Sequence, residues 1–336
     1  MPFIDEILKY KSVSFVGMEK NTGKTETLNY VLSGLCSYNG VRVGITSIGI
    51  DGEKTDQVTK TQKPEINISK DTLFITSEHF YKQKEIISNI LSISKKGTSL
   101  GRLITAEAIT QGKVLLAGAS NTIWLKETIK ELHNYKADVV LVDGALSRKS
   151  FGSPSITDAM ILSTGAALSI NLNTLVQKTN FVYRMTQLES IEKSLTKKLQ
   201  DIDSGIYAID SNGKVIDLDI PSILMIEQFK DRIFSYGKRI FVSGIITDRL
   251  IDFLKVQKSI NEIEIIVKDF TRIFCKPENI DSYFKKGGKL KVVQPTNIIA
   301  ITVNPTSPSG YNLNSKTLID ELKKHIPIPI YNIKEI

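Results

Sequence analysis

Two cysteines, three histidines and one tryptophan are spread over 336 residues, and these shortages remove several kinds of chemistry. Cys36 and Cys275 lie far apart and make no metal-ligand spacing, so both are expected as small core residues. His79, His133 and His325 are scattered, which argues against a His-rich metal site and supports no Ser/His/Asp arrangement. No apolar run reaches the roughly 18–20 residues of a membrane-spanning helix. The opening Met-Pro-Phe-Ile-Asp-Glu lacks the basic start and apolar core of a signal peptide, so a cytoplasmic protein with no membrane partner is expected. Internal repeats, coiled-coil heptads and low-complexity segments are missing as well.

What is present reads as a globular chain, 41% hydrophobic and 24% charged, long enough for two domains of ordinary size. The formal charge is +8, but the lysines are dispersed in short groups such as Lys95-Lys96, Lys197-Lys198 and Lys285-Lys286. They form no stripe interleaved with aromatics, so a solvated surface is expected and no nucleic-acid partner.

The strongest motif spans residues 12–27, Ser-Val-Ser-Phe-Val-Gly-Met-Glu-Lys-Asn-Thr-Gly-Lys-Thr-Glu-Thr. It reads as an apolar strand, a loop ending in Gly23-Lys24-Thr25, and a helix, which is the layout of a phosphate-binding P-loop. Triphosphate chemistry needs backbone N–H groups around the β-phosphate, a lysine across the β/γ-phosphates and a hydroxyl on Mg²⁺. Lys24 is the candidate cation and Thr25 the candidate Mg²⁺ ligand. Gly17, Asn21, Thr22, Gly23, Lys24, Thr25 and Glu26 are expected around the nucleotide, with the positive end of the helix dipole at the phosphates. The spacing departs from the common G-x-x-x-x-G-K-[ST] pattern, because five residues separate Gly17 from Gly23 and Met18 takes the usual first-glycine place. Dethiobiotin synthetases have a similar longer spacing.

A second motif supports the first. Asp143 follows the apolar run 139–142 and predicts a carboxylate at the carboxyl end of a buried strand beside the P-loop strand, where it would hold Mg²⁺. Gly144 lets the chain turn there. Asp51, after a second apolar strand, is a further Mg²⁺ or catalytic-water candidate; Asp56 is the alternative, and a plain Asp-Gly turn reads the same way. Lys24, Asp51 and Asp143 are thus the candidate catalytic set, with Thr25, Asp51 and Asp143 for the metal. Arg148, with Lys149, Ser150 and Ser153 after it, is a candidate γ-phosphate sensor. The loops 163–167 and 304–311 also end strands and are expected at a ligand-binding sheet edge. Lys20 would add a second cation in the loop, or is an exposed lysine. The lack of an Asn-Lys-x-Asp motif favours adenine over guanine nucleotide.

The periodicity predicts strands at 12–16, 41–50, 72–76, 103–109, 114–117, 138–142 and 159–163, the fifth pairing with the fourth. Helices are predicted from residue 23, at 78–91 and 122–135, and in a long amphipathic stretch at 168–199. The expected fold class is α/β: a P-loop NTPase domain with a mostly parallel sheet at 1–200, a connector with a hairpin at 201–236, and a second, smaller α/β domain at 237–336. That last domain is expected to hold strands at 239–242, 263–267, 298–303 and 328–333, with helices at 248–255 and 315–325.

Gly17-Met-Glu-Lys-Asn-Thr-Gly-Lys-Thr25, Val142-Asp-Gly-Ala-Leu-Ser-Arg148, Ser163-Thr-Gly-Ala-Ala167 and Asn304-Pro-Thr-Ser-Pro-Ser-Gly310 together resemble the smaller reactivase component of adenosylcobalamin-dependent lysine 5,6-aminomutase. The resemblance runs over the whole chain. It implies an ATP- and Mg²⁺-dependent factor that works with a second ATPase subunit to exchange damaged cobalamin on the aminomutase. The chain has no Asp-x-His-x-x-Gly cobalamin motif, so cobalamin would be held by the client enzyme. The alternative is a kinase or ligase of dethiobiotin-synthetase type acting on a small carboxylate, with a homodimer as a further arrangement to expect. A non-hydrolysing protein that uses the loop structurally is the third reading.

Overall fold

The computed structural model describes residues 1–48, 66–145, 156–220 and 222–336. Within these the chain is α/β and divides into two compact units. One comprises 1–48, 66–145, 156–179 and 297–336; the other comprises 180–220 and 222–296.

The first unit is built on a nine-stranded sheet. Its strands run in the spatial order Ile330–Tyr331, Ile298–Asn304, Ala159–Gly165, Ser12–Gly17, Val139–Ala145, Val43–Ser47, Leu73–Ser77, Gly101–Ala108, Ser88–Thr98. The first seven are mutually parallel; Gly101–Ala108 is antiparallel to both of its neighbours. All residues of Ser12–Gly17 and Ala159–Gly165 are buried. This is what near-continuous apolar runs predict for parallel strands covered on both faces. Alternation sorts the side chains. Val13, Phe15, Val43, Ile45, Val139 and Leu141 pack in one core with Leu28, Val31, Leu32 and Leu35 of the helix Lys24–Cys36. Val140, Val142, Leu73 and Ile75 pack in another with Trp124, Leu125, Ile129 and Leu132 of the helix Thr122–Asn134. Each aliphatic side chain fully removed from water contributes about 1.5–3 kcal/mol. Asn121 starts the latter helix, its side chain accepting a hydrogen bond from the Trp124 N–H at 2.9 Å.

The second unit carries a five-stranded sheet in the order Val215–Asp217, Ile206–Ile209, Arg239–Val242, Glu264–Val267, Lys289–Val292. The last three are parallel, and the first two form an antiparallel hairpin. The hairpin expected in a connector at 201–236 is therefore present, but Ile206–Ile209 also pairs with Arg239–Val242 and so belongs to this sheet.

The observed division differs from the expected domains 1–200 and 237–336. The strand Ile298–Asn304 pairs with Ala159–Gly165 in the first sheet, so residues 180–296 are an insertion between two spatially adjacent strands. Local pattern cannot see this, because an α/β strand looks the same in either sheet.

Three other elements differ. The helix predicted at 78–91 is confined to Glu78–Tyr81, and Ser88–Thr98 is an edge strand. Ile90 and Ile93 in it are paired with Ala106 and Ile104, and this ladder overrides the helical reading. The predicted partner of Gly101–Ala108 instead gives Gly112–Val114, paired with Ile66–Ile68. The amphipathic stretch 168–199 is two helices, Leu172–Thr186 and Lys193–Leu199. Between them Glu189 and Ile191 exchange backbone hydrogen bonds with Val292, at 2.9 and 3.0 Å. Among the described residues no helix is long and apolar enough to cross a membrane.

Candidate functional site

The site grows from the carboxyl end of the Ser12–Gly17 strand. Gly17 is needed there, because a Cβ would stand 2.8 Å from Thr22 Oγ1 and 3.1 Å from the Glu19 carbonyl. Thr22 is buried, and its hydroxyl donates to that same carbonyl at 2.8 Å, folding the loop over the strand end. Asn21 and Gly23 are both left-handed, with φ of 61° and 84°. Gly23 opens the helix Lys24–Cys36 with no side chain capping it. The first amides of any helix lack intrahelical acceptors, so here the backbone N–H groups at Lys24, Thr25 and Glu26 stand at an uncapped, positive helix end. Thr25 is half-buried and Glu26 exposed.

Lys24 reaches across to the neighbouring strand, where its ammonium hydrogen-bonds Asp143 Oδ1. Asp143 lies opposite Phe15 in the parallel ladder, on the face covered by the Lys24–Cys36 helix. Its backbone carbonyl accepts from the Ile48 N–H at 2.9 Å, and the Ser47 hydroxyl sits 3.4 Å from the same oxygen. Gly144, expected at a turn, instead continues the strand and pairs with Val16, and a Cβ there would come within 3.2 Å of the Phe15 carbonyl. The Lys20 side chain is exposed, and its backbone N–H donates to the Glu19 carboxylate at 3.0 Å. Asp51, Asp56, Arg148, Lys149, Ser150 and Ser153 lie outside the described residues.

Two loops singled out in the sequence meet the Gly-Lys-Thr loop. Ser163 accepts the Met18 N–H through its carbonyl at 2.9 Å. Asn304 donates its side-chain amide to the Asn21 carbonyl at 2.9 Å. Below them runs a buried chain of hydroxyls: Thr27 Oγ1 to Thr302 Oγ1 at 2.9 Å, and Thr302 Oγ1 to Ser163 Oγ at 2.8 Å. Thr27 and Thr302 drew no notice in the sequence. The available signal for Thr302 was a threonine inside the run 298–303, otherwise isoleucine, alanine and valine, which is a buried hydroxyl in need of a partner.

Comparison with protein-family models, with curated proteins and with solved structures finds no match.

The donor chemistry around Lys24 fits a hard divalent cation. The Thr25 hydroxyl and the Asp143 carboxylate are oxygen donors of the kind Mg²⁺ takes, and such ions keep most of their waters. No group of three or more His, Cys, Asp or Glu among the described residues could hold a metal by itself. The histidines near the first sheet are engaged elsewhere: His79 contacts Gln83 at 2.9 Å, and His133 Nδ1 contacts the Ala137 carbonyl at 2.8 Å. In the second unit a cavity of about 430 Å³ is lined by Glu189, Glu264, Lys289, Leu290 and Lys291. Lys291 Nζ lies 3.7 Å from Glu189 there. Glu264 lies 2.7 Å from Arg239 Nε and 3.2 Å from Lys291 Nζ, so it reads as a structural ion-pair network.

Proposed function

We propose that this chain is a P-loop-class protein that binds Mg-ATP and hydrolyses it slowly as a nucleotide-dependent switch. The observation that carries the reading is the contact of Lys24 with Asp143 beside an uncapped helix start, at the carboxyl edge of a parallel sheet. Lysine and carboxylate compensate each other without ligand. A triphosphate at the helix amides would offer the ammonium a stronger, multiply charged partner, leaving Asp143 and Thr25 as the residues that would hold Mg²⁺. Mg²⁺ supplies charge neutralisation on the phosphate oxygens when bound. Asp51 is proposed to assist.

The test is calorimetric titration with Mg-ATP. A hydrogen bond to a charged group is worth about 1.5–3 kcal/mol, so Lys24→Ala should weaken binding by well over tenfold. Equal affinity of the wild type and Lys24→Ala removes the reading.

The finer proposal, an accessory factor for an adenosylcobalamin-dependent aminomutase acting with a second ATPase subunit, is supported by the sequence resemblance. ATP and ADP must differ in affinity for two states of the chain if nucleotide is to drive such a switch. The chain should then retain a partner differently with ATP and with ADP. It should also restore an inactivated aminomutase when ATP, Mg²⁺ and fresh adenosylcobalamin are supplied. Stoichiometric ATP consumption with a small carboxylate, and no retained partner, would replace this proposal by the dethiobiotin-synthetase-type ligase.

A further inference from the structure

The Gly-Lys-Thr loop and the strand Ile298–Asn304 are 283 residues apart at their contact, yet one side chain ties them together. Asn304 donates through Nδ2 to the Asn21 carbonyl at 2.9 Å and accepts the Thr306 N–H through Oδ1 at 3.2 Å. The two contacts fix which end of the amide faces which way. A backbone N–H demands the oxygen and a backbone carbonyl demands the nitrogen, and both demands are met by one orientation. The base of this clamp is rigid. The Asn304 carbonyl accepts the Ala166 N–H at 2.9 Å, and Thr302, two residues earlier, is locked into the buried hydroxyl chain. There is no slack above it either, since a Cβ on Gly23 would lie 3.1 Å from Asn304 Cβ.

We infer that Asn304 is a positioning residue that holds the Asn21–Thr22 peptide in the one orientation an anion-binding loop requires. The inference rests on the nucleotide reading above. In a trans peptide the C=O and N–H point in opposite directions. With the Asn21 carbonyl drawn to Asn304, the Thr22 N–H is directed to the other side of the peptide plane. Left-handed Asn21 and Gly23 flank this unit, and both residue types move between left- and right-handed backbone at little cost. A peptide so placed flips readily once its carbonyl is released. A flipped peptide would present an oxygen where phosphate oxygens need hydrogen-bond donors. In the sequence Asn304 stood out only as the start of the loop 304–311 and of one resemblance motif; its contact with Asn21 gives it this separate task.

Two variants divide the contributions. Asn304→Asp keeps the shape and the acceptor for the Thr306 N–H but loses the donor to Asn21. Asn304→Ala loses both without adding charge. Each is titrated with Mg-ATP and, separately, with Mg-tripolyphosphate, which has no base or sugar. The expected result is a loss of about tenfold in affinity for both ligands in both variants. Melting temperatures should stay near that of the wild type. In ¹⁵N spectra of the ligand-free protein, the Thr22 and Gly23 amide signals should shift or broaden in both variants. Wild-type affinity in either variant, a loss for ATP with none for tripolyphosphate, or unchanged Thr22 and Gly23 signals would each overturn the inference. If the wild type binds neither ligand, the nucleotide reading itself is what fails.

Discussion

Gly165→Ala tests whether the carboxyl-terminal strand belongs where the sheet places it. Gly165 lies opposite Asn304 in the parallel ladder. A Cβ at 165 would stand 2.1 Å from the Asn304 carbonyl oxygen, 2.9 Å from its carbon and 3.0 Å from its nitrogen. These are backbone atoms and cannot swing aside. Reaching a tolerable 3.0 Å requires the strands to part by 3.0 − 2.1 = 0.9 Å. The adjacent Ala166 N–H to Asn304 carbonyl bond, now 2.9 Å, would be stretched out of hydrogen-bonding range. One lost hydrogen bond costs about 1 kcal/mol and overpacking about 1–3 kcal/mol, for a total of about 2–4 kcal/mol. For a unit of this size the melting temperature should fall by roughly 4–16 °C. Gly97→Ala is the matched control, since no atom lies within 4 Å of its added Cβ. It should be neutral or slightly stabilising, because alanine restricts the unfolded chain. Thermal unfolding followed by circular dichroism reads both. If Gly165→Ala melts with Gly97→Ala, the strand Ile298–Asn304 does not lie against Ala159–Gly165, and the insertion topology is wrong.

Other outcomes follow from single contacts. Thr302→Val should cost about 1–2 kcal/mol in urea unfolding, because it leaves the buried Ser163 hydroxyl without its partner. Adding Ser163→Ala should recover part of that loss; no recovery would mean the hydroxyl chain contributes nothing. In the second unit, the hydrogen bonds from Arg239, at 2.9 and 3.1 Å, hold the Glu192 carboxyl below its ordinary value of 4.5. A carboxyl depressed on folding adds stability above its unfolded value, and that stability is lost as pH falls through the lower folded value. Glu192 is mostly exposed, so the contribution is under about 1 kcal/mol. The stability difference between wild type and Glu192→Gln should therefore close on acidification below pH 4.5. A difference that stays constant with pH in urea titrations would contradict it.

Much was legible along the chain because it is local. The run 139–142 is apolar throughout and 12–16 breaks its apolar residues only with serine, the pattern of strands covered on both faces. Gly23-Lys24-Thr25 at a strand-to-helix turn and Asp143 at a strand end could be placed at one sheet edge from the βαβ rule alone, and Lys24 does reach Asp143. What tertiary structure decided is pairing between distant segments. Hydrogen-bonded ladders carry no sequence mark of which strand they will meet, so nothing local told that Ile298–Asn304 returns to the first sheet past residues 180–296. For the same reason residues 88–91 looked helical until Gly101–Ala108 supplied their ladder. The contact of Asn304 with Asn21 inherits this limit. Its chemistry is an ordinary amide-to-carbonyl hydrogen bond, and only the strand order sets the two residues 2.9 Å apart.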